Sequence, residues 1–208
     1  MSKDQESEQI KFDIDGIRVS NTQVRFIDEM HDAQYAIKQL NLKTGHVALT
    51  QPFDVDTSFN IKAQKPAVDA RISFSGNLMA DVENKHYIAK KLDASIHGTI
   101  ATLSNADITL TGNVDAKPEN TELLIDGLKF ALKGKKEGAK IALNLSAPKL
   151  TVQKDVVTGK QADISFNQEK TNDKLNVSLS VADIKGSPQA VKSTGIIGEL
   201  SSTQGSRH

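Results

Sequence analysis

The sequence of 208 residues contains no cysteine and no tryptophan, and only 4% of its residues are aromatic. Without cysteine the chain forms no disulfides, carries no thiolate nucleophile and binds no metal through sulfur. The scarcity of aromatic rings disfavours the stacking platforms on which proteins hold unpaired bases or sugars. These absences argue against nucleic-acid binding and exclude cysteine chemistry.

The charges of the chain balance, because 26 basic and 26 acidic residues give a formal net charge of +0. No global field therefore attracts a polyanion, and we expect no nucleic-acid partner. No apolar run approaches the ~20 residues that cross a bilayer. Residues 1–10 lack any apolar period, and we predict that they are disordered. We further predict a single β-rich domain over residues 11–197 and a polar tail over residues 198–208.

Apolar and polar residues alternate over most of the chain. In residues 53–63 the odd positions are mostly apolar and every even position is polar, and residues 68–78 repeat the pattern after a predicted hairpin loop, Gln64-Lys65-Pro66. Such alternation is typical of strands with one wet face. It predicts an all-β, antiparallel sheet of about a dozen strands. Ser20-Asn21 and Ser104-Asn105 are predicted to be tight connections between strands.

A phrase of eight residues recurs, with apolar residues at its first, third, sixth and eighth positions. Copies begin at Phe12, Tyr35, Tyr87, Leu123 and, in weaker form, Leu179. In a regular strand the last two apolar positions would fall on the opposite face from the first two. One extra residue, a β-bulge, returns all four to one face and bends the strand. We predict such bulges, and the alternative is a short turn between two strands.

Recurring bulges favour a strongly curved sheet, which is either a partly closed trough or a sandwich-like fold. A sandwich fills its apolar face with the chain's own side chains, whereas an open trough leaves that face to a ligand or partner. The alternation of residues is the same in both, so this choice stays open at the level of the sequence.

No constellation of residues points to catalysis. The pairs Asp13/Asp15 and Asp54/Asp56 occupy the polar phase of strands, where solvated residues belong. The five histidines have no spacing typical of a metal site, and no phosphate-binding glycine loop or nucleophile elbow is present. The cluster Lys133 to Lys140 fits a solvated hairpin tip better than a headgroup site. We therefore predict a non-enzymatic protein with no catalytic residues, no metal and no cofactor.

The run Ile14 to Val24, the phrase Tyr35 to Leu42, the following Lys43-Thr44-Gly45 and Gln51-Pro52-Phe53 resemble the AsmA family of Gram-negative envelope proteins. The resemblance covers roughly residues 12 to 80 well and residues 87 to 130 more loosely. It implies a periplasmic protein with an inner-membrane anchor outside this sequence and a role in outer-membrane biogenesis. Its implied partner is a phospholipid or another envelope lipid, carried between membranes in a β-sheet groove. The alternative is a scaffold that modulates outer-membrane protein assembly, with assembly proteins as partners.

The same resemblance implies which residues form the apolar floor of the groove. The candidates are Val55, Phe59, Ile61, Ile72, Phe74 and Leu78.

Overall fold

The computed structural model describes residues 13–28, 33–48, 50–187 and 189–205. The predicted disordered segment at residues 1–10 lies outside these residues. The all-β, antiparallel prediction is confirmed, since the described residues form fourteen strands and one 3-10 turn at Pro118–Asn120. The strands are β1 (Asp13–Ile14), β2 (Arg18–Asp28), β3 (Ala33–Thr44), β4 (Val47–Ala48), β5 (Phe53–Ala63), β6 (Val68–Asp81), β7 (His86–Ile100), β8 (Leu103–Lys117), β9 (Glu122–Lys136), β10 (Ala139–Gln153), β11 (Val156–Lys170), β12 (Asp173–Ser187), β13 (Ala190–Lys192) and β14 (Gly195–Thr203).

Twelve of these strands form one continuous antiparallel sheet. From β5 to β12 each strand pairs with the next one along the chain, β3 and β2 follow at one end, and β13 and β14 both pair with β12 at the other. The two ends do not meet, so the sheet is open and has two edges. The small strands β1 and β4 pair with each other in a separate two-stranded sheet.

The predicted bulges are confirmed by a register shift in three of the five copies of the phrase, those that begin at Tyr35, Tyr87 and Leu123. The Leu179 copy has a left-handed residue at the same step without a register shift. Gln39, Lys91, Gly127 and Asp183 have φ of +53°, +52°, +63° and +49°, each at the step between the third and sixth positions. The register then puts all four apolar positions of each copy on one face, as in β7, where Ala89 faces Val114 and Leu92 faces Gly112.

The copy that begins at Phe12 folds differently. Its described part runs from β1 into β2 through non-strand residues 15–17, so here the alternative, a break between two strands, is what the structure contains. Phe12 itself lies outside the described residues. The Asp15-Gly16 step therefore lies between β1 and β2, whereas the Asp126-Gly127 step lies inside β9.

Two further strands, β10 and β11, contain the same irregular step, which the sequence did not predict. In β10 the register keeps Leu145, Ala147, Leu150 and Val152 on one face, with Pro148 at the irregular step. In β11 it does the same for Val157, Gly159, Ala162 and Ile164. Both follow the same spacing, but Pro148 inside β10 is atypical of a strand, and in β11 Gly159 occupies a position that is apolar in the other copies.

The irregular steps of β7, β9, β10, β11 and β12 lie at the same level of the sheet. Together they form one line across this half of it. A side chain stabilises it: the backbone N–H of Lys91 donates to Oδ1 of Asn113 at 2.8 Å. An equivalent hydrogen bond occurs near the other edge, where the backbone N–H of Asn21 donates to Oδ1 of Asn41 at 3.1 Å. Because each bulge bends its strand, an aligned row of bulges bends the sheet.

Three predicted boundaries are wrong. Asn21 and Asn105 lie inside β2 and β8, not in connections, and their φ values of +48° and +49° mark bulges. Asparagine tolerates left-handed φ in turns and bulges alike, so the residue type did not distinguish the two. The domain also extends beyond residue 197, because β14 continues to Thr203 through most of the predicted polar tail. The hairpin loop at Gln64-Lys65-Pro66 is confirmed as a turn.

Candidate functional site

One face of the large sheet is apolar from edge to edge; we call it the apolar face. Directly paired residues in an antiparallel sheet point to the same side, so the register assigns each position to a face. One row of such partners crosses eleven strands: Val19, Leu42, Thr57, Phe74, Ala94, Leu110, Phe130, Leu145, Ile164, Leu179 and Gly198. A second row runs from β5 to β14: Phe59, Ile72, Ile96, Ile108, Leu132, Leu143, Phe166, Val177 and Leu200.

Charge is excluded from this surface. Away from the strand ends, no described position on the apolar face carries a charged residue. Lys136 does lie on this face, but at the end of β9 beside the turn Glu137–Gly138. Eleven strands spaced at ~4.8 Å make this surface about 50 Å wide across the strands. It is therefore a continuous apolar surface that crosses the whole width of the sheet, and we call it the apolar strip.

No second layer of the described chain covers the strip. The described residues include no large side chain that is fully buried, and the five buried hydrophobic residues are all alanines: Ala63, Ala70, Ala106, Ala139 and Ala147. All five lie on the apolar face. The surface area agrees, since the chain exposes 14912 Å², whereas a compact monomer of this mass exposes about 9,500 Å². The apolar face is open rather than the inside of a sandwich.

The six predicted floor residues all lie on the apolar face. Phe59 faces Ile72, Ile61 faces Ala70, and Leu78 faces Phe53 across the β5–β6 pair, while Val55 faces Gly76 and Phe74 faces Thr57. All six are half-buried. They form one patch of a strip that extends over nine further strands, most of whose residues the sequence analysis did not single out. The recurring eight-residue phrase identifies such residues in β7, β9 and β12, because its spacing shows which positions share the apolar face.

The opposite face, which we call the polar face, carries the hydrogen bonds between side chains. The hydroxyls of Ser73 and Ser95 lie 2.7 Å apart across β6 and β7. Asn77 donates to Oδ1 of Asp54 at 2.9 Å, and Nζ of Lys62 lies 3.3 Å from Oδ2 of Asp69. These pairs satisfy polar groups within the sheet, so this face needs no partner to be stable in water.

Two described carboxylates, Asp81 and Asp163, have a lowered pKa. The side-chain amide of Gln161 donates to both oxygens of Asp163, at 3.0 and 2.8 Å, and the hydroxyl of Ser180 donates at 2.7 Å. These donors, Gln161 foremost, hold the pKa of Asp163 below its ordinary value of 3.8. The shift stabilises an ionised, structural carboxylate and does not prepare an acid for proton transfer.

Three histidines lie beside carboxylates, which the sequence spacing did not reveal. His86 Nε2 lies 2.7 Å from Asp115 and His97 Nδ1 lies 3.2 Å from Asp107. His46 lies between Asp13 and Asp15, at 3.3 and 3.7 Å. Within the described ranges, no three His, Cys, Asp or Glu side chains group so as to hold a metal ion. Each pair is a separate contact between strands or loops.

From the cluster Lys133 to Lys140, the residues Lys133, Lys135 and Lys140 lie on the polar face at the β9–β10 hairpin. Lys135 is directly opposite Lys140, and Lys133 is opposite Asp107. With Lys174 and Glu169 they line a groove of about 620 Å³. All these side chains are exposed, as expected for a solvated hairpin end.

Comparisons of this chain with protein-family models, curated proteins and solved structures gave no match. In the part of the chain that the structure describes, no helix has the length and apolar character required to cross a membrane.

Proposed function

We propose that this protein is a non-enzymatic component of the bacterial envelope, similar to AsmA, whose apolar face shields lipid acyl chains as phospholipids move between membranes. The observation that carries the proposal is the uncovered apolar strip that crosses eleven strands. A soluble monomer seldom exposes a contiguous apolar area of this extent without a ligand or partner. The resemblance to AsmA supplies the periplasmic location, the inner-membrane anchor and the role in outer-membrane biogenesis.

The chemistry of the strip favours flexible chains over a folded partner. Its surface consists of aliphatic and phenyl groups, with hydrogen-bonding side chains at only a few positions such as Thr57. Such a surface contributes binding energy by burial alone, about 0.8 kcal/mol for each CH₂ removed from water. Because burial has no directional requirement, a chain can slide along the strip with little change in energy.

The test is lipid occupancy of protein purified without detergent, measured by native mass spectrometry, lipid extraction and uptake of a fluorescent phospholipid. Phe59→Asp places a carboxylate on the apolar strip, and we expect at least a ten-fold loss of affinity because the bound chain would desolvate that charge. The matched control is Ser58→Asp, which adds the same charge one residue away on the polar face. Absence of bound or acquired lipid in the wild type, or equal losses in the two variants, would sink the proposal.

A second candidate function is a scaffold that modulates outer-membrane protein assembly through a free sheet edge. The observation that favours it is β2, which has no partner on its outer side among the described strands and exposes Val24, Phe26 and Ile27 by 47%, 59% and 49%. Successive N–H groups of a strand point in opposite directions, so one of Val24→Pro and Arg25→Pro removes an outward donor. Binding of a purified assembly protein that is lost in one of these variants and kept in Phe59→Asp would favour the scaffold over lipid transport.

A further inference from the structure

The other edge of the sheet, β14, is the most exposed apolar segment that the structure describes. Ile196, Ile197 and Leu200 are exposed by 67%, 71% and 72%, more than any other large hydrophobic residue described. The inner side of β14 pairs with β12, and its outer side pairs with no described strand. Edge strands are normally protected by charges, prolines or bulges. This one has a single charge, Glu199, no proline and no register shift.

The direction of the strands limits what can pair with this edge. All neighbours in the large sheet are antiparallel, and ten such steps separate β2 from β14, so these two edge strands run in the same direction. If β2 of another copy paired antiparallel with β14, its apolar face would lie on the opposite side of the joined sheet. A copy rotated by 180° about an axis perpendicular to the sheet instead brings β14 against β14, antiparallel, with both apolar faces on the same side. This is the isologous arrangement of a two-fold dimer.

Side chains then select the register. Ile196, Gly198, Leu200 and Ser202 point to the apolar face, since their partners in β12 do. With Gly198 on the two-fold axis, Ile196 lies opposite Leu200 of the second copy, and this contact occurs twice. A shift of the pairing towards the carboxyl end puts Glu199 opposite its own symmetry mate, and like charges directly opposite destabilise a sheet. A shift the other way puts Leu200 opposite Thr194 and replaces the two Ile196–Leu200 contacts by a single contact of Ile197 with its symmetry mate.

We propose that the protein forms a two-fold dimer through antiparallel pairing of β14 with β14 of a second copy, centred on Gly198. The dimer satisfies the free backbone groups of the edge, covers its isoleucine and leucine side chains, and joins the two apolar strips into one surface of twice the width. The pairing does not depend on what the apolar strip binds. One strand pair buries less than the ~1,200 Å² of a standard interface, so the dimer dissociates on dilution.

The test uses the absence of cysteine in the chain. Gly198→Cys puts one thiol next to its symmetry mate, and the position accepts a side chain because an added Cβ meets no atom closer than 3.7 Å. The control is Ser202→Cys, on the same strand and face, whose partner in the dimer is residue 194. Under mild oxidation we expect covalent dimer at least about ten-fold faster from Gly198→Cys, because pairing raises the effective concentration of its thiols. Equal rates would refute the register.

Sedimentation equilibrium of the unmodified protein supplies the second measurement. We expect a mass that rises from monomer to dimer with concentration, and a monomer at all concentrations for Leu200→Glu, with far-UV circular dichroism unchanged. A wild type that stays monomeric would overturn the proposal and leave β14 to a different partner. A dimer that persists in Leu200→Glu would overturn it as well, because the contact between copies would then lie elsewhere.

Discussion

Gly127 has a φ of +63° at the bulge of β9, and an added Cβ at this position would meet no atom within 4 Å. Space is therefore not the constraint, and any cost of a side chain comes from the backbone conformation alone. Left-handed φ costs a residue with a Cβ roughly 1–2 kcal/mol. Glycine at this step removes that cost, whereas Gln39, Lys91 and Asp183 bear it at the equivalent steps.

For this reason we expect Gly127→Ala to lower the free energy of unfolding by about 1 kcal/mol, measured by urea denaturation. The control is Gly45→Ala, whose φ lies outside the left-handed region and whose added Cβ would lie 3.6 Å from its nearest neighbour, the Asp54 nitrogen. That variant should be unchanged or slightly more stable, because alanine restricts the unfolded chain. If the two variants lose the same stability, backbone strain at the bulge is not the cause.

At the scale of a strand, the bulge decides which face each side chain occupies. In β7, Tyr87 and Ala89 lie before the bulge and Leu92 and Ala94 lie after it, and all four point to the apolar face. Without the extra residue, the segment before the bulge would turn over. Ile88 and Lys90 would then point to the apolar face and Tyr87 to the polar face.

Deletion of Lys91 should therefore destabilise the protein by at least about 2 kcal/mol, since it turns Tyr87 away from the apolar face and puts the charged Lys90 onto that half-buried face. The matched substitution Lys91→Gly keeps the bulge and relieves its left-handed φ, so we expect its stability to stay within about 1 kcal/mol of the wild type. Urea unfolding curves of the two variants, followed by circular dichroism, give the comparison. Equal stabilities would show that the phrase does not depend on the bulge.

The sequence predicted these elements well where a residue type has one structural use, and poorly where it has two. The alternation in residues 53–63 and 68–78 and the phrase at Tyr35 and Tyr87 placed β5, β6, β3 and β7 on the correct face. Asn21 and Asn105 were misassigned, because left-handed asparagine occurs both in turns and in bulges. β14 was missed because its sequence, Gly195 to Thr203, alternates poorly and forms a strand only by pairing with β12.

At the scale of the whole molecule, one layer of sheet buries less surface than a compact domain does. From 14912 Å² of exposed surface and the usual areas of compact and unfolded chains, folding buries about three-quarters of the area expected for this length. The dependence of stability on denaturant follows the area exposed on unfolding. The open fold therefore has a thermodynamic signature that does not require a ligand.

We expect an m-value in urea of about three-quarters of that typical for a two-state protein of 208 residues. The measurement should be made at a protein concentration low enough to keep the chain monomeric, with lipid removed. A phospholipid that binds the folded state should raise the urea concentration at the unfolding midpoint. That midpoint should depend on protein concentration no more than it does without lipid. A full-sized m-value would show that the apolar face is covered in the isolated monomer.

The sequence by itself determined that the chain is a β protein, how most strands divide into an apolar and a polar face, and where the recurring phrase returns the apolar residues of β3, β7, β9 and β12 to one side. These properties are local, since they follow from periods of two residues and from single steps of backbone conformation. Only the tertiary structure decided that the apolar faces of eleven strands join in one open strip and that β2 and β14 are its edges. Alternation is the same in a closed sandwich and in an open sheet, because it records which side of a strand avoids water and not what covers that side.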